Sequence, residues 1–498
     1  MNFAIEAPAE ANPLTIENLH HVLQSASSND QHQVQTGAQQ LQNWEKSPGF
    51  YSSLQTLHID YSLPVELRYL AIIQLKNGID KYWRKTALNA ISADEKATIR
   101  SRSLKSVVEE PDHRLALQIS VLIGKIVRHE YPQDWPEAIS EILNGLRSNE
   151  HVPGASLYLS RQLLILLYVV KELSTAKLQR SRYKLQSVTP EIIGVLSPIY
   201  VLRVEAWLPF LKNRAGNIGD ATESMNQSLL TLRILRRLVI AGYDFPNREK
   251  ETRDLWSSLT IHFGQMLALV QSIGPTLQSQ VHVLVERHLL QIVKFHLDMA
   301  RSHPAGFALL PDAVSLAKAY WSLIRQCGET YGSQFSKTLA PKIGSHGDVD
   351  GGDTPILEKI TLKGLLIFRA CSKMAFNPVQ TFRYQRDGDK DEKNLSKELM
   401  RQDLLTDGLA REVMETLVTR FFVFTSRDLK EWEEEPDEWE KSQEGGGEDW
   451  DFSIRTCSEK LFLDLMLNFR ELLVQPLLSV FSTVASKRDA LSAVRPSS

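Results

Sequence analysis

Apolar residues recur at helical spacing along almost the whole chain. Segments 64–83 (PVELRYLAIIQLKNGIDKYW) and 111–132 (PDHRLALQISVLIGKIVRHEYP) show it most clearly. This spacing brings the apolar side chains onto one face of an α-helix. Further apolar residues flank that face in both segments, so each helix is predicted to be covered by neighbours on more than one side.

The two segments also give explicit core and surface predictions. The predicted core of segment 64–83 is Leu67, Leu70, Ala71, Leu75 and Ile79, with Tyr69, Ile72 and Ile73 beside it. The predicted core of segment 111–132 is Leu115, Ile119, Leu122 and Ile126, widened by Ala116, Ile123 and Val127. The remaining polar line of that segment is a basic stripe for solvent or a partner: Arg114, Gln118, Lys125 and Arg128.

Other helical segments fall into consecutive pairs. The predicted pairs are 134–148 with 155–173, 189–211 with 221–243, 252–273 with 277–300, 311–327 with 355–376, and 395–424 with 453–486. No segment alternates polar and apolar residues convincingly, as a half-buried strand does. The chain is therefore predicted to be all-α.

The regular pairing indicates a repeat architecture, because 498 residues exceed what one hydrophobic core usually organises. The spacing matches the HEAT class of two-helix repeats, so a right-handed HEAT-repeat α-solenoid of roughly ten or eleven repeats is predicted. The predicted divisions are 1–130, 131–330, a flexible glycine-rich loop at 331–355, and 356–498 with an acidic insertion at 430–451. By composition, the loop at 331–355 is typical of a linker without a binding role.

Charge is distributed unevenly. Residues 430–450 contain ten acidic and two basic residues, a net charge of −8, so the other residues carry about +5 within the total of −3. Trp432, Trp439 and Trp450 stand in this acidic run, whereas disordered acidic tails are poor in aromatic residues. The tryptophans are predicted to pack against neighbouring helices. Separated charges of both signs favour steering of a charged protein partner, with plain solvation of helix faces as the alternative.

Cysteine usage and apolar runs bear on the compartment. Cys327, Cys371 and Cys457 form no CxxC pair, which indicates a reducing environment. The N-terminal residues MNFAIEAPAEANP lack the basic start and apolar core of a secretory signal. The longest apolar run, LLILLYVV, is far shorter than the roughly 20 residues that span a bilayer. The protein is predicted to be intracellular and not embedded in a membrane.

The sequence offers little for catalysis. It contains no GxxxxGK[ST] or HExxH motif, and His20, His21, His282 and His288 lack a cluster of further metal ligands. Carboxylates of the glycine-containing acidic run would not be held rigidly enough for acid–base work. We therefore predict no enzyme activity, no cofactor and no metal site.

Three segments resemble the importin-β (karyopherin) superfamily of nuclear transport receptors. Segment 38–83 resembles the family's N-terminal Ran-binding module, and YPQDWPE at 131–137 resembles its hinge between early repeats. The acidic W-E-E-x-P stretch, followed by W-x-x-S-x-R-x-C-S-E-x-L-F within 428–465, is similar to importin eleven and its fungal counterparts. Receptors of this family are usually about twice as long, so the resemblance implies that the chain looks like an N-terminal half.

The resemblance implies a contact site for Ran in its GTP form on the second helices of the first three repeats. The implied residues are Gln35, Gln39 and Gln42 in the first, Gln74, Asn77, Lys81 and Arg84 in the second, and Arg114, Gln118, Lys125 and Arg128 in the third. Their spacing puts each set on one helix face, for which a solvated polar face is the alternative interpretation. Acidic residues that would meet Ran or cargo are Glu431, Glu433, Glu434, Glu435, Asp437, Glu438 and Glu440.

The resemblance also implies a receptor that carries proteins through the nuclear pore, with import favoured over export, and that resides in nucleus, cytoplasm and nuclear envelope. Implied partners are Ran with GTP, phenylalanine-glycine nucleoporins, and cargo such as ubiquitin-conjugating enzymes or ribosomal and ribosome-assembly proteins. A monomer that binds neither nucleic acid nor membrane is expected. Periodicity and composition fit one alternative equally well: a HEAT-repeat scaffold that assembles complexes without Ran regulation.

Overall fold

The computed structural model describes residues 13–149, 156–175, 179–213, 218–273, 279–334, 355–376, 387–422, 430, 432–437 and 453–493. Within these ranges the chain forms helices joined by turns and short connections, and no β-strand is present. The all-α prediction is confirmed. The chain divides into two compact units, Met1–Tyr243 and Asp244–Ser498. The divisions predicted at residues 130, 330 and 355 stay predictions.

The described part of the first unit consists of helical hairpins. They are α1 (Ile16–Ala26) with α2 (Gln31–Trp44), α3 (Phe50–Ile59) with α4 (Val65–Tyr82), α5 (Ala93–Val108) with α6 (His113–Glu130), α7 (Ala138–Asn149) with α8 (Ser156–Ser174), and α9 (Gln179–Asn213) with α10 (Ile218–Gly242). The two helices of each hairpin pack together, and α4, α6, α8 and α10 pack against one another in sequence order. We call α2, α4, α6, α8 and α10 the second helices, and their hairpin partners the first helices.

Several helix starts depend on a local side chain, and the start of α3 depends on a side chain from a neighbouring hairpin. In the described part of the first unit, four helices begin after a residue whose side chain accepts a backbone N–H of the first turn: Thr15, Asp30, Ser92 and Asp112. Helix α3 begins after Gly49, which has a left-handed φ of 80° and no side chain to offer. The Glu95 carboxylate of α5 accepts the N–H of Gly49 at 3.1 Å and that of Ser52 at 2.9 Å.

The core predictions for α4 and α6 are largely confirmed. All seven predicted core residues of α6 are buried, and so are four of the five in α4; Leu70 is half-buried. Ile72 is also fully buried, whereas Tyr69 is exposed. Helix α6 packs against α4, α5 and α8, which is the multi-sided cover that its wide apolar face predicts.

A buried polar cluster joins three consecutive hairpins. Arg68 of α4 forms an ion pair with Glu110, and both side chains are almost completely buried. The Arg68 Nε also donates to the carbonyl oxygen of His58 at 2.8 Å. Arg161 of α8 donates to the carbonyl oxygens of Glu110 and Pro111 at 3.2 and 3.1 Å. These bonds satisfy charged groups that would be costly to bury alone.

The described part of the second unit is also helical. It contains a 3₁₀ turn (Pro246–Arg248), α11 (Lys250–Ile273), α12 (Ser279–Ser302), α13 (Pro304–Leu309), α14 (Ala313–Gln334), α15 (Ile356–Phe376), α16 (Asp387–Leu399), α17 (Asp407–Thr416), α18 (Ile454–Asn468) and α19 (Arg470–Ala493). The π-helical turns Met400–Leu404 and Leu417–Phe421 extend α16 and α17. Helix α15 packs against α12, α14 and α18.

Two boundary predictions in this unit are wrong. Segment 395–424 is broken before Thr406, whose hydroxyl accepts the N–H of Leu409 at 3.3 Å and starts a new helix. Segment 453–486 is broken at Phe469, where φ is −123° and ψ is 32°. Residues 331–334 of the loop predicted at 331–355 belong to α14, where Tyr331 is buried, and the loop as a division of the chain stays a prediction. Residues 335–354 lie outside the described residues.

One described stretch, Arg182–Lys212 of α9, is long and apolar enough to cross a membrane by length and composition alone. Helix α9 packs against α8 and α10, and its Tyr200 and Trp207 side chains are fully buried. A core helix of a globular repeat passes the same test, so the stretch is weak evidence for a membrane span.

Candidate protein-binding surface on the second helices

The predicted contact residues of the first hairpin lie on one exposed face of α2. Gln35, Gln39 and Gln42 are all exposed, while Leu41 and Trp44 on the opposite face are buried. The face is uncharged and offers amide donors and acceptors.

The predicted residues of the second hairpin are less uniform. Asn77 and Lys81 of α4 are exposed, and Gln74 is half-buried. The Lys81 Nζ lies 3.1 Å from a carboxylate oxygen of Glu45, the residue that follows α2. This cation is therefore accessible and already has an acidic neighbour.

The prediction that Arg84 lies on the same helix face as Gln74, Asn77 and Lys81 is wrong. Helix α4 ends at Tyr82, and Arg84 lies exposed in the connection to α5. The chain turns there because Trp83 is buried and its indole N–H donates to Glu130 at 3.1 Å. Arg84 still lies near the second helices, since burial and then the Arg84 charge lower the pKa of His129 on α6.

Two of the predicted residues on α6 make short-range polar contacts. Arg114 is exposed, and its Nη2 lies 3.3 Å from the carboxylate of Asp112, the N-cap of the same helix. Gln118 is half-buried; its Oε1 accepts a hydrogen bond from Lys76 Nζ at 2.8 Å, and its amide donates to the Tyr69 hydroxyl at 3.5 Å. Burial and then the nearby Lys125 charge lower the pKa of Lys76.

The other two predicted residues of α6 pair with acids on the neighbouring second helices. Lys125 forms an ion pair with Asp80 of α4, and Arg128 Nη1 lies 3.0 Å from a carboxylate oxygen of Glu172 of α8. Lys125 is 21% exposed and Arg128 is 49% exposed. The cations are therefore at the surface and are not hidden between helix layers.

Three pairs thus connect successive second helices: Glu45 with Lys81, Asp80 with Lys125, and Arg128 with Glu172. We call them the ion-pair ladder. The partners are 36, 45 and 44 residues apart, close to one repeat. The sequence predicts a basic stripe on α6, and the structure corrects this to a surface that carries both positive and negative charges. The sequence analysis did not identify the acidic residues that adjacent repeats contribute. A search for opposite charges one repeat apart would have found them.

The acidic insertion is described only in part. Glu433, Glu434, Glu435 and Asp437 are exposed, and Lys430 Nζ lies 3.6 Å from a carboxylate oxygen of Glu434. Trp432 is 53% exposed, so it is not a fully buried anchor, and its predicted packing against neighbouring helices stays a prediction. Glu431, Glu438, Glu440, Trp439 and Trp450 lie outside the described residues. The backbone is helical at 432–434 and again at 436–437, which begins at Pro436.

The cysteines and histidines of the described residues are the side chains that bear on metal binding and nucleophilic chemistry. No group of three His, Cys, Asp or Glu side chains there is placed to hold a metal ion. The three cysteines are buried thiols, and burial raises the pKa of Cys327 to about 11 and that of Cys371 to about 12. High thiol pKa values make these side chains poor nucleophiles.

The arrangement defines a helical-repeat protein with a mixed-charge surface along consecutive second helices. Residues 37–109, from α2 to the end of α5, match the family model "Importin-beta N-terminal domain". Most predicted contact residues of the first two repeats fall in this range, whereas Gln35 and the four residues on α6 fall outside it.

Curated proteins and solved structures extend the similarity to nearly the whole chain. The importin beta-like protein KAP120 of Saccharomyces cerevisiae is 31% identical over 96% of this chain, and importin-11 of Mus musculus is 26% identical over 93%. The solved structure of Lph2, described as a bidirectional nuclear transport receptor in S. cerevisiae, superposes with a TM-score of 0.73 at 27% identity over 93% of this chain.

The chain is similar to importin-β-type nuclear transport receptors along nearly its whole length, and residues 37–109 match the importin-β N-terminal domain. The HEAT-repeat solenoid fold that the sequence predicts is that of its structural neighbours. The chain spans 44% of KAP120, 43% of importin-11 and 42% of Lph2, less than half of each relative. The first two relatives carry importin names, and Lph2 is described as a nuclear transport receptor.

Proposed function

We propose that this chain provides the Ran-binding part of a nuclear transport receptor. Receptors of the family bind Ran and cargo. The observation that supports the proposal is the row of accessible polar and cationic side chains on α2, α4 and α6, within and just after the matched importin-β domain. The proposed contact residues are Gln35, Gln39, Gln42, Gln74, Asn77, Lys81, Arg114, Gln118, Lys125 and Arg128, with Arg84 at the edge of the surface.

The proposed partners beyond Ran are cargo proteins and phenylalanine-glycine nucleoporins, with import as the direction and a monomeric receptor. Lysine-rich cargo such as ribosomal or ribosome-assembly proteins fits the exposed carboxylates of the acidic insertion, Glu433, Glu434, Glu435 and Asp437. Ubiquitin-conjugating enzymes are the other cargo class. Passage through the nuclear pore would place the receptor in nucleus, cytoplasm and nuclear envelope.

Regulation is proposed to be reciprocal. If cargo and Ran with GTP favour different arrangements of the repeats, each ligand lowers the affinity for the other by the same factor. Titration of the chain with Ran loaded with GTP or GDP tests the first half of this proposal. We expect clear binding of the GTP form and much weaker binding of the GDP form. Equal affinities for the two forms would contradict Ran regulation.

Charge reversal tests the location of the contact. Lys125→Glu combined with Arg128→Glu should weaken binding of the GTP form by tenfold or more, since it places like charges against an acidic partner surface. Arg147→Glu is the control for a single charge reversal, to be compared with Arg128→Glu alone: Arg147 of α7 is 48% exposed and pairs with Glu191 of α9 at 3.1 Å, on the first helices. Unchanged affinity in the double variant would remove α6 from the contact.

The alternative, a HEAT-repeat scaffold without Ran regulation, remains testable with the same chain. It predicts stable capture of protein partners that Ran with GTP does not release. Release of bound partners by the GTP form, and not by the GDP form, favours the transport receptor.

A further inference from the structure

We infer that Asp80 and Glu172 tune the proposed Ran site by acting as internal competitors for its cations. They neutralise Lys125 and Arg128 in the unbound chain, and acidic side chains of a bound partner displace them. The inference rests on the proposed function, because it concerns the regulation of the same surface.

The geometry gives a partner access to these pairs. Lys125 and Arg128 are three residues apart and so lie on one face of α6. Asp80 approaches from α4 and is 51% exposed, while Glu172 approaches from α8 at 3.0 Å from Arg128. Each cation is thus held by an acid from a different neighbouring repeat. A carboxylate arriving from solvent reaches the same cations without unfolding a helix.

The Asp80–Lys125 and Glu172–Arg128 ion pairs are weak enough for carboxylates of a partner to displace them. Ion pairs at this level of exposure contribute little to stability, because solvent screens them and ordering the side chains has an entropic cost. They are therefore displaceable, yet a partner must still replace one carboxylate for each cation that it engages. A competing acid of this kind lowers partner affinity by about threefold, and two independent ones by about tenfold.

A purely structural role for the same pairs predicts the opposite sign. If Asp80 and Glu172 only hold α4, α6 and α8 in the arrangement that a partner recognises, their neutralisation disturbs that arrangement and weakens binding. The direction of the affinity change therefore separates the two roles.

The test measures binding of Ran loaded with GTP to the whole chain carrying Asp80→Asn, Glu172→Gln or both. We expect about threefold tighter binding for each single variant and about tenfold for the double variant at about 50 mM salt, with a smaller gain at about 300 mM salt. Glu191→Gln is the control, because it removes the same charge from an exposed ion pair between α7 and α9, on the first helices. Its affinity should equal that of the wild type.

Unchanged or weaker binding in the double variant would overturn the inference while leaving Ran binding itself intact. Tighter binding in Glu191→Gln as well would also overturn it, since the gain would then come from net charge alone. A wild-type chain that binds both nucleotide forms equally would refute the proposed function, and the inference with it. The three results are distinguishable in one set of titrations.

Discussion

At the scale of single residues, His58 shows how burial couples stability to pH. Its side chain is 1% exposed, and neither ring nitrogen has a hydrogen-bond partner. Burial, and then the Arg68 charge, lower its pKa from 6.5 to about 3. Between these values the unfolded state binds a proton that the folded state does not, so stability rises with pH across this window and is lost as pH falls through it.

The prediction is that wild-type α3 loses about 2 kcal/mol of local stability between pH 7.5 and pH 5 through His58, since each pH unit below 6.5 contributes about 1.4 kcal/mol. His58→Leu should remove most of this loss without a large cost at pH 7.5, because the imidazole makes no hydrogen bond there. Hydrogen exchange of Phe50–Ile59, corrected for intrinsic rates, provides the measurement. His21→Leu, at an exposed position of α1, is the control. Retention of the full pH effect in His58→Leu would assign it to other groups.

Single residues also set the limit of what the sequence reveals. The exposure of Gln35, Gln39 and Gln42 was predictable, because spacing alone puts them opposite buried Leu41 and Trp44. The pairing of Lys125 with Asp80 was not apparent from either helix by itself, since the two residues are 45 positions apart. Opposite charges become informative only when the repeat length is used to align one hairpin with the next.

At the scale of elements, the start of α3 depends on a residue of another hairpin. Glu95 lies on α5 and accepts two backbone N–H groups at Gly49 and Ser52. The predicted cost of Glu95→Ala is about 1 to 2 kcal/mol, because a buried charged cap is lost and two N–H groups lose their acceptor. Faster hydrogen exchange in the first turn of α3 provides the measurement.

Asp94→Ala is the matched control for that prediction. Asp94 precedes Glu95 on the same helix turn but is exposed. Its loss should cost only a few tenths of a kcal/mol through the helix dipole of α5. If hydrogen exchange in α3 is accelerated equally in both variants, the Glu95 cap does not stabilise the start of α3 specifically.

Helices were predictable where their ends carry local signals. Pro64 and Asp112 stand directly before α4 and α6, and both helices were predicted to within a few residues. The breaks before Thr406 and at Phe469 were missed, because neither lies at a glycine or a proline. Conversely, α9 continues through Pro190, Pro198 and Pro209. Tertiary packing therefore decides helix continuity where local preference is weak.

At the scale of the whole molecule, the sequence was sufficient to predict the class of protein and its charge distribution. The repeat period and the motifs of segments 38–83 and 428–465 indicated the family that the comparisons support. The division at Tyr243 was not predicted, since helical periodicity continues on both sides of it. Periodicity reports which faces are buried and not which hairpins are grouped together.

The distribution of charge leads to the last prediction, which concerns the rate of association. Residues 430–450 concentrate a net charge of −8 in a chain of net charge −3. Replacement of Glu433, Glu434 and Asp437 by the corresponding amides should slow association with a lysine-rich cargo several-fold at low salt and leave dissociation almost unchanged, because long-range attraction acts mainly on encounter. Stopped-flow association at about 50 mM and about 500 mM salt provides the measurement. The association rates of the wild type and the variant should converge at about 500 mM salt.

A control variant with the same net charge distinguishes the effect of clustered charge from the effect of total net charge. Glu17, Asp94 and Glu251 are exposed acids scattered along the chain, and their replacement by amides removes the same three charges. If the clustered carboxylates steer the cargo, the scattered variant should associate nearly as fast as the wild type. Equal slowing in the two variants would mean that only net charge matters, and that the acidic insertion is no more than a solvated segment of the chain.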